Sequence, residues 1–400
     1  MLKAVSRQIQ IQALTKIVEH LEYGSLELTL PNGKQLHCKG PQAGPAADLH
    51  LHDYDALAAL MRDGKLGFCE AFMSGTATSK NSANLIELAV MHTELLEANL
   101  QLGPIKTLFN RITHWTRRNN KTGSRKNIAY HYDLGNDFYT KWLDPSMTYS
   151  SAIFETEGQD LEAAQRVKYQ KLADLADIQP GDHVLEIGCG WGGFAEYAAS
   201  ERGAHVTGIT ISQEQYHFAK ARLSSDKLNT LTDIQLMDYR DLNQKFDKIV
   251  SIEMFEAVGV QYWPAYFDVV AKCLKPDGKA ALQIITIKDE EFEEYRRTPD
   301  FIQKYIFPGG MLPSIAALQP SLANAGLALA EHNGYALHYA KTLANWRDKF
   351  LESWPELQRL TGFDDRFKRM WELYLSYCEG GFKGGMIDVK QMLIEHRTSQ

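Results

Sequence analysis

Gly188, Gly190, Gly192 and Gly193 crowd into six residues, directly after an apolar run that carries one acid, Glu186. Val184, Leu185 and Ile187 have the character of a buried strand, and FAEYAASERG beyond the turn reads as a helix stopping at Gly203. Glycines at this density let a backbone turn tightly and come close to a bound molecule. Strand, glycine turn and helix together make the corner at which doubly wound sheets hold nucleotides. Gly188, Gly190 and Gly193 also satisfy G-x-G-x-x-G, the weak fingerprint of NAD or FAD. A dinucleotide site wants an acid at the tip of the next strand, to hold the ribose hydroxyls. That strand, HVTGITIS, ends in Thr210, Ile211 and Ser212, and the acid lies on the first strand instead. The pattern argues against a dinucleotide. A turn that merely packs helix on strand is the bland alternative.

The elements that must position this corner follow from periodicity. HVLEIG, HVTGIT, DIQLM, KIVSIEMF and KAALQIITI are strand-like runs separated by helical or turn segments. Such alternation predicts an α/β fold with a mostly parallel, doubly wound sheet. Between Lys288 and about Tyr339 the pattern breaks into an acidic patch and the stretch KYIFPGGMLPS. An insertion there is expected to cover the carboxyl ends of the strands as a lid. Residues 1–105 read as a separate small α/β module. Leu26, Leu28 and Leu30 alternate, Pro31-Asn32-Gly33 turns the chain, and Leu36 and Cys38 resume it, a hairpin signal. A basic linker is expected at 106–128 and a catalytic domain at 129–400, with the insertion at 288–339 and an aromatic-rich helical segment from Trp346 to Tyr377.

An apolar content of 44% with 23% charged residues suits a normal globular core, and a net charge of −7 argues against a general nucleic-acid binder. Cys38, Cys69, Cys189, Cys273 and Cys378 are scattered and form no C-x-x-C pair, which fits reduced cytoplasmic thiols and no metal site. No signal peptide is expected, and no apolar run approaches the ~18 residues of a membrane span. A membrane would be met from the water side. From Ala98 to Tyr132 there is no acid, while Lys106, Arg111, Arg117, Arg118, Lys121, Arg125 and Lys126 interleave with Leu108, Phe109, Ile112 and Trp115. A cationic helix with such an apolar side suits an anionic lipid surface. A linker lying over an acidic neighbour is the plain alternative, and nucleic acid a remote one.

Glu186-Ile187-Gly188-Cys189-Gly190-Trp191-Gly192 resembles motif I of class I S-adenosylmethionine-dependent methyltransferases. Longer segments are more specific. YHYDLGNDFYTKWLDPSMTYSSAIF (130–154), VLEIGCGWGGFA, GITISQEQ, DYRDL, FDKIVSIEMFEAVG, KYIFPGGMLPS and WELYLSYCEGGF together resemble the cyclopropane-fatty-acyl-phospholipid synthase family over about 130–385. That resemblance implies S-adenosylmethionine as cofactor and the cis double bond of a phospholipid acyl chain as acceptor. It also implies a peripheral place on the inner face of the membrane. A homodimer is left open. Cofactor contacts are implied at Tyr149, Ser150, Gly188, Cys189, Gly190, Gly192, Thr210, Ser212, Gln215, Tyr239 and Arg240. Gln215 can serve the ribose hydroxyls, Tyr239 can offer its ring to the adenine, and Glu186 can order the turn or accept from the amino-acid arm.

An alkene that takes a methyl group becomes a carbocation, so aromatic walls and a few negative groups are expected around it. The resemblance implies that a bound bicarbonate, held by a Cys, a Glu, a His and a Tyr, removes the proton. Here Glu256 and Tyr339 match, Cys378 matches the C-terminal Cys, and Ser151 and Gln283 stand where the Cys and the His are usual. Ala257 replaces a further His that often follows the Glu. Ser and Gln can donate to an anion, but neither titrates near neutrality as His does. Three outcomes stay open: a cyclopropane, the family default; a methyl-branched or methylated unsaturated chain; and a lipid-binding protein without turnover.

Overall fold

The computed structural model describes residues 2–99, 134–359 and 363–397, with side chains for 10–96, 134–359 and 363–397. The basic window, the expected linker at 106–128 and YHYD at 130–133 lie outside the described residues. The chain forms two compact units that are not consecutive in sequence.

Unit one takes residues 1–113, 297–306 and 343–387. Its sheet has the order β2-β1-β3-β4, with β1 Tyr23–Thr29, β2 Gln35–Lys39, β3 Gln42–Leu51 and β4 Ala77–Thr78. The expected hairpin is β1–β2, with Leu26 opposite Cys38 and Leu28 opposite Leu36. Asp53 caps the helix Tyr54–Ser74 by accepting from Ala56 N at 2.9 Å. The aromatic-rich helix Asp365–Lys383 belongs to this unit, although the sequence reading put it in the catalytic domain. Gly380 and Gly384 explain the attachment. A Cβ on either would stand 2.6 Å from Ile86 or 2.5 Å from Val90, so only glycine admits the helix Ser82–Met91 so closely.

Unit two takes 114–296, 307–342 and 388–400. It holds a seven-stranded sheet of order β10-β11-β9-β8-β5-β6-β7. The strands are β5 His183–Ile187, β6 His205–Thr210, β7 Thr232–Leu236, β8 Phe246–Ile252, β9 Leu274–Ile287, β10 Leu327–Gly334 and β11 Ile387–His396. Strands β5 to β9 pair in parallel, and β10 runs antiparallel to β11. The strand order reverses at β5, so the glycine corner sits at the switch point where such sheets bind ligands. Val184, Leu185 and Ile187 are buried because parallel strands are covered on both faces. Leu172, Phe194, Ala198, Val206 and Val250 fill the core beside them.

The five parallel strands match the periodicity reading; β10 and β11 do not appear in it. LALAEHNG is an edge strand with an exposed polar half, and IDVKQMLIEH buries a glutamine, so neither shows clean alternation. The stretch read as insertion includes the helix Ile315–Asn324 and β10. Its Pro/Gly part returns to the end of β8, where Met311 N donates to Glu256 O at 2.8 Å.

Candidate active site

The glycine corner is stitched to β6: Gly188 N and Cys189 N both donate to Ile209 O, at 3.0 and 2.9 Å. Gly188, Gly190 and Gly192 adopt φ of +85°, +52° and +86°, the region L side chains avoid. Their surroundings differ. A Cβ on Gly188 would meet Met254 at 2.6 Å, one on Gly192 would meet Ala219 at 3.1 Å, and one on Gly193 would meet the Tyr169 hydroxyl at 2.5 Å. Among the described residues, a Cβ on Gly190 meets nothing within 4 Å. Three glycines admit neighbouring side chains, and Gly190 alone faces space that a ligand can take. Glu186 is buried, and its Oε2 has no hydrogen-bond partner among the described residues. Burial pushes its carboxyl up to about 8, against the pull of Lys168.

At the tip of β6, Thr210 Oγ1 donates to Gln215 Oε1 at 2.9 Å, and Ser212 caps the next helix through Gln215 N at 3.3 Å. With its oxygen engaged, the Gln215 amide offers NH donors to a ribose hydroxyl, in place of the acid of a dinucleotide site. The Tyr239 ring packs edge-on against Tyr266, centroids 5.4 Å apart. The Arg240 guanidinium is committed to Asp238, at 2.8 Å from Oδ1 and 2.7 Å from Oδ2. Arg240 therefore holds the turn that presents Tyr239.

Tyr149, Tyr139, Trp142 and Trp191 form an aromatic nest with centroids 5.2–5.6 Å apart. Ser150 is held by two buried residues of the helix Leu161–Leu175. Lys168 Nζ donates to its Oγ at 2.6 Å, and Gln165 Nε2 donates to its carbonyl at 2.9 Å. Burial pushes Lys168 down to about 8, opposed by the charges of Glu253, Asp144 and Glu186.

The residues expected around an anion converge on a carboxylate that the sequence reading passed over. Glu253 Oε1 accepts from Ser151 N and from Gln283 Nε2, each at 2.8 Å, and Oε2 accepts from the Tyr339 hydroxyl at 2.5 Å. The Ser151 hydroxyl turns away and donates to Ala152 O at 3.0 Å, so its contribution is its backbone amide. Glu253 adopts φ +49°, a strained conformation for a side-chain-bearing residue. Burial raises its carboxyl, while Tyr339, Gln283, Lys168 and Ser151 pull it back.

Glu256 is different. Its Oε1 accepts from Ile285 N at 2.6 Å, and its Oε2 is buried without a partner. Burial first, then the charge of Glu253, push it up to about 8, toward the protonated form. The sequence reading ran the strand on through Glu253, as KIVSIEMF; β8 stops at Ile252 and leaves Glu253 just past its tip. The acid at the tip of an apolar strand was the signal available for Glu253. Lys168 had none, since it looks like any lysine on a helix.

Cys378 lies in unit one, not in the unit that holds this cluster. Burial and the neighbouring Asp300 carboxylate push its thiol far up, away from the reactive thiolate.

A family model described as mycolic acid cyclopropane synthetase matches residues 119–392. A tuberculostearic acid methyltransferase of Mycobacterium tuberculosis is 39% identical, covering 98% of this chain and 91% of its own. The cyclopropane-fatty-acyl-phospholipid synthase of Escherichia coli K12 is 34% identical, over 87% of each chain. A mycolic acid cyclopropane synthase crystallised with SAH and CTAB superimposes with a TM-score of 0.63 at 30% identity, over 68% of this chain and 97% of its own.

Proposed function

The chain belongs to the mycolic acid cyclopropane synthetase family of S-adenosylmethionine-dependent methyltransferases, and we propose that it methylates the cis double bond of an unsaturated fatty acyl chain, with Glu253 as the built-in base and a methylated, ring-free chain as product. The fit of the cofactor is supported by open space at Gly190, the unpartnered Glu186 Oε2 and the free donors of Gln215. When bound, it supplies an electrophilic methyl group. The Gly188–Gly192 turn, Gln215 and Tyr239 hold it, and Ser150, fixed by Lys168, borders it.

Once the alkene has gained the methyl group, the positive charge sits on the acyl chain. Tyr149, the one partly exposed ring of the aromatic nest, faces that charge, backed by the buried Tyr139, Trp142 and Trp191. One proton must then leave a chain carbon, and its C–H electrons close a new double bond. Glu253 takes that proton. The split between neighbouring carboxyls supports the assignment: Glu253 has three donors and Glu256 one, so Glu253 is the ionised partner.

The observation that carries this reading is that the donors expected to hold bicarbonate are already engaged by Glu253. A separate anion does not fit the donor set as it stands. A base tied to the backbone reaches a narrower range of protons than an exchangeable ion. The tuberculostearic acid methyltransferase relative adds support over nearly the whole chain. Ring closure is the second reading, favoured by the Escherichia coli relative. Lipids from a host expressing the chain with methyl-deuterated methionine separate the two. Three deuteriums kept in a methyl branch support our proposal, and two kept in a cyclopropane ring overturn it. We also propose an anionic phospholipid surface as the place of encounter. Among the described residues, no helix is long and apolar enough to cross a membrane.

A further inference from the structure

Gln391, on β11, is 2% exposed and lies outside every role described above. Its Nε2 donates to Gln283 Oε1 at 3.0 Å and to the backbone carbonyl of Lys168 at 3.2 Å. Gln283 Nε2 in turn donates to Glu253 Oε1 at 2.8 Å and to Ser151 O at 3.3 Å. Both hydrogens of each amide are thus used, and the chain of donors has one direction. An amide can flip, but a backbone carbonyl cannot become a donor. Lys168 O fixes the Gln391 amide as donor, and Gln391 fixes the oxygen of Gln283 toward itself. Were Gln283 flipped, its oxygen would face the Glu253 carboxylate and Ser151 O, two acceptors.

We infer that Gln391 is a positioning residue that orients Gln283 as donor to Glu253 and so sets the basicity of the catalytic carboxylate. This rests on the reading of Glu253 as base. The charged and titratable groups facing Glu253 are Lys168 from the helix Leu161–Leu175, Tyr339 from the helix Ala336–Leu357 and Glu256 from its own strand end. Gln391 hydrogen-bonds none of these side chains among the described residues; its bond to Lys168 is to the backbone carbonyl. Its effect reaches Glu253 through Gln283.

The test is the pH profile of kcat on vesicles of dioleoyl phosphatidylglycerol, for the full chain and for Gln283→Met, Gln391→Met and the double variant. Losing the oriented donor disfavours the charged carboxylate. Gln391→Met should therefore move the acid limb up by about half a unit or more and lower kcat on that limb by about threefold, with the KM for S-adenosylmethionine unchanged. The double variant should match Gln283→Met alone, because the second change acts only through the first. Additive losses, or an unmoved limb in folded Gln391→Met, overturn the inference. Gln391→Leu likewise cannot donate, so it should move the limb the same way if the methionine variant fails to fold; an unmoved limb there overturns it equally. Glu253→Gln separates the two levels. A limb that survives it overturns the base and the positioning role together. A limb lost there but unmoved in the Gln391 variants overturns the positioning role alone.

Discussion

Glu253 and Glu256 share one strand end, yet one carboxylate accepts three hydrogen bonds and the other leaves an oxygen buried and unpartnered. In the proposed reaction the pair divides the labour of base and neutral acid. Glu253→Gln should lower product formation by at least about a hundredfold, the usual reach of a positioned base, with cofactor affinity by calorimetry unchanged. Glu256→Gln replaces a protonated carboxyl by a neutral amide of the same size, and should cost less than about threefold at pH 7. Equal losses in the two variants would remove the division.

Glu253→Gly should open the donor set and relieve the backbone at φ +49°. Ser151 N, Gln283 and Tyr339 would then face a space of carboxylate size. Activity should vanish in carbonate-free buffer and return in part with added bicarbonate. An inactive variant that bicarbonate fails to rescue would show that these donors do not form an anion site on their own.

Gly190 has both the strained φ and the open surroundings, and the two effects can be separated. Gly181 is also at positive φ, +87°, with nothing within 4 Å of a Cβ. Valine at either position should cost about 1–2 kcal/mol for the left-handed backbone, read as a fall in Tm. Only Gly190→Val should also abolish S-adenosylmethionine binding. Equal affinity in both variants would move the cofactor away from this turn.

The corner was legible because its signals are local: glycine spacing, apolar runs and a missing acid on β6. The proposed base was not, because Glu253 and Glu256 differ only in where β8 ends, and tertiary pairing with Gln283 decides that. Lys168 and Gln391 were illegible for a related reason. Burying a lysine or a glutamine makes sense only once its partners are known, and those partners lie far along the chain. The helix Asp365–Lys383 was assigned to the wrong body for want of the contacts that Gly380 and Gly384 make.

Two buried carboxyls raised to about 8 should also mark the stability curve. Between about pH 4.5 and 8 the folded chain keeps protons on Glu186 and Glu256 that the unfolded chain has released, so stability falls as pH rises through that window. Lys168, lowered to about 8, acts oppositely at higher pH, where the unfolded chain keeps the proton that the folded chain has lost. The Tm of the cofactor-free protein should decline from pH 5 to 8, and Glu186→Gln with Glu256→Gln should flatten the decline. A parent Tm that rises over this range would mean that both carboxyls are ionised in the fold.

Access to lipid is expected to depend on residues of the basic window, outside the described residues. Arg117, Arg118, Lys121, Arg125 and Lys126 have no acid within their own window to neutralise them. If they meet anionic headgroups, vesicle binding should need anionic lipid and weaken with salt, because exposed charges are screened over about 8 Å at physiological ionic strength. Replacing Arg117 and Arg118 with Glu should reduce vesicle binding and activity on vesicles together, while cofactor affinity stays intact. That pairing matters: a loss of activity with vesicle binding preserved would place these arginines in the chemistry, and preserved binding with preserved activity would leave the window a linker and move the lipid contact elsewhere on the chain.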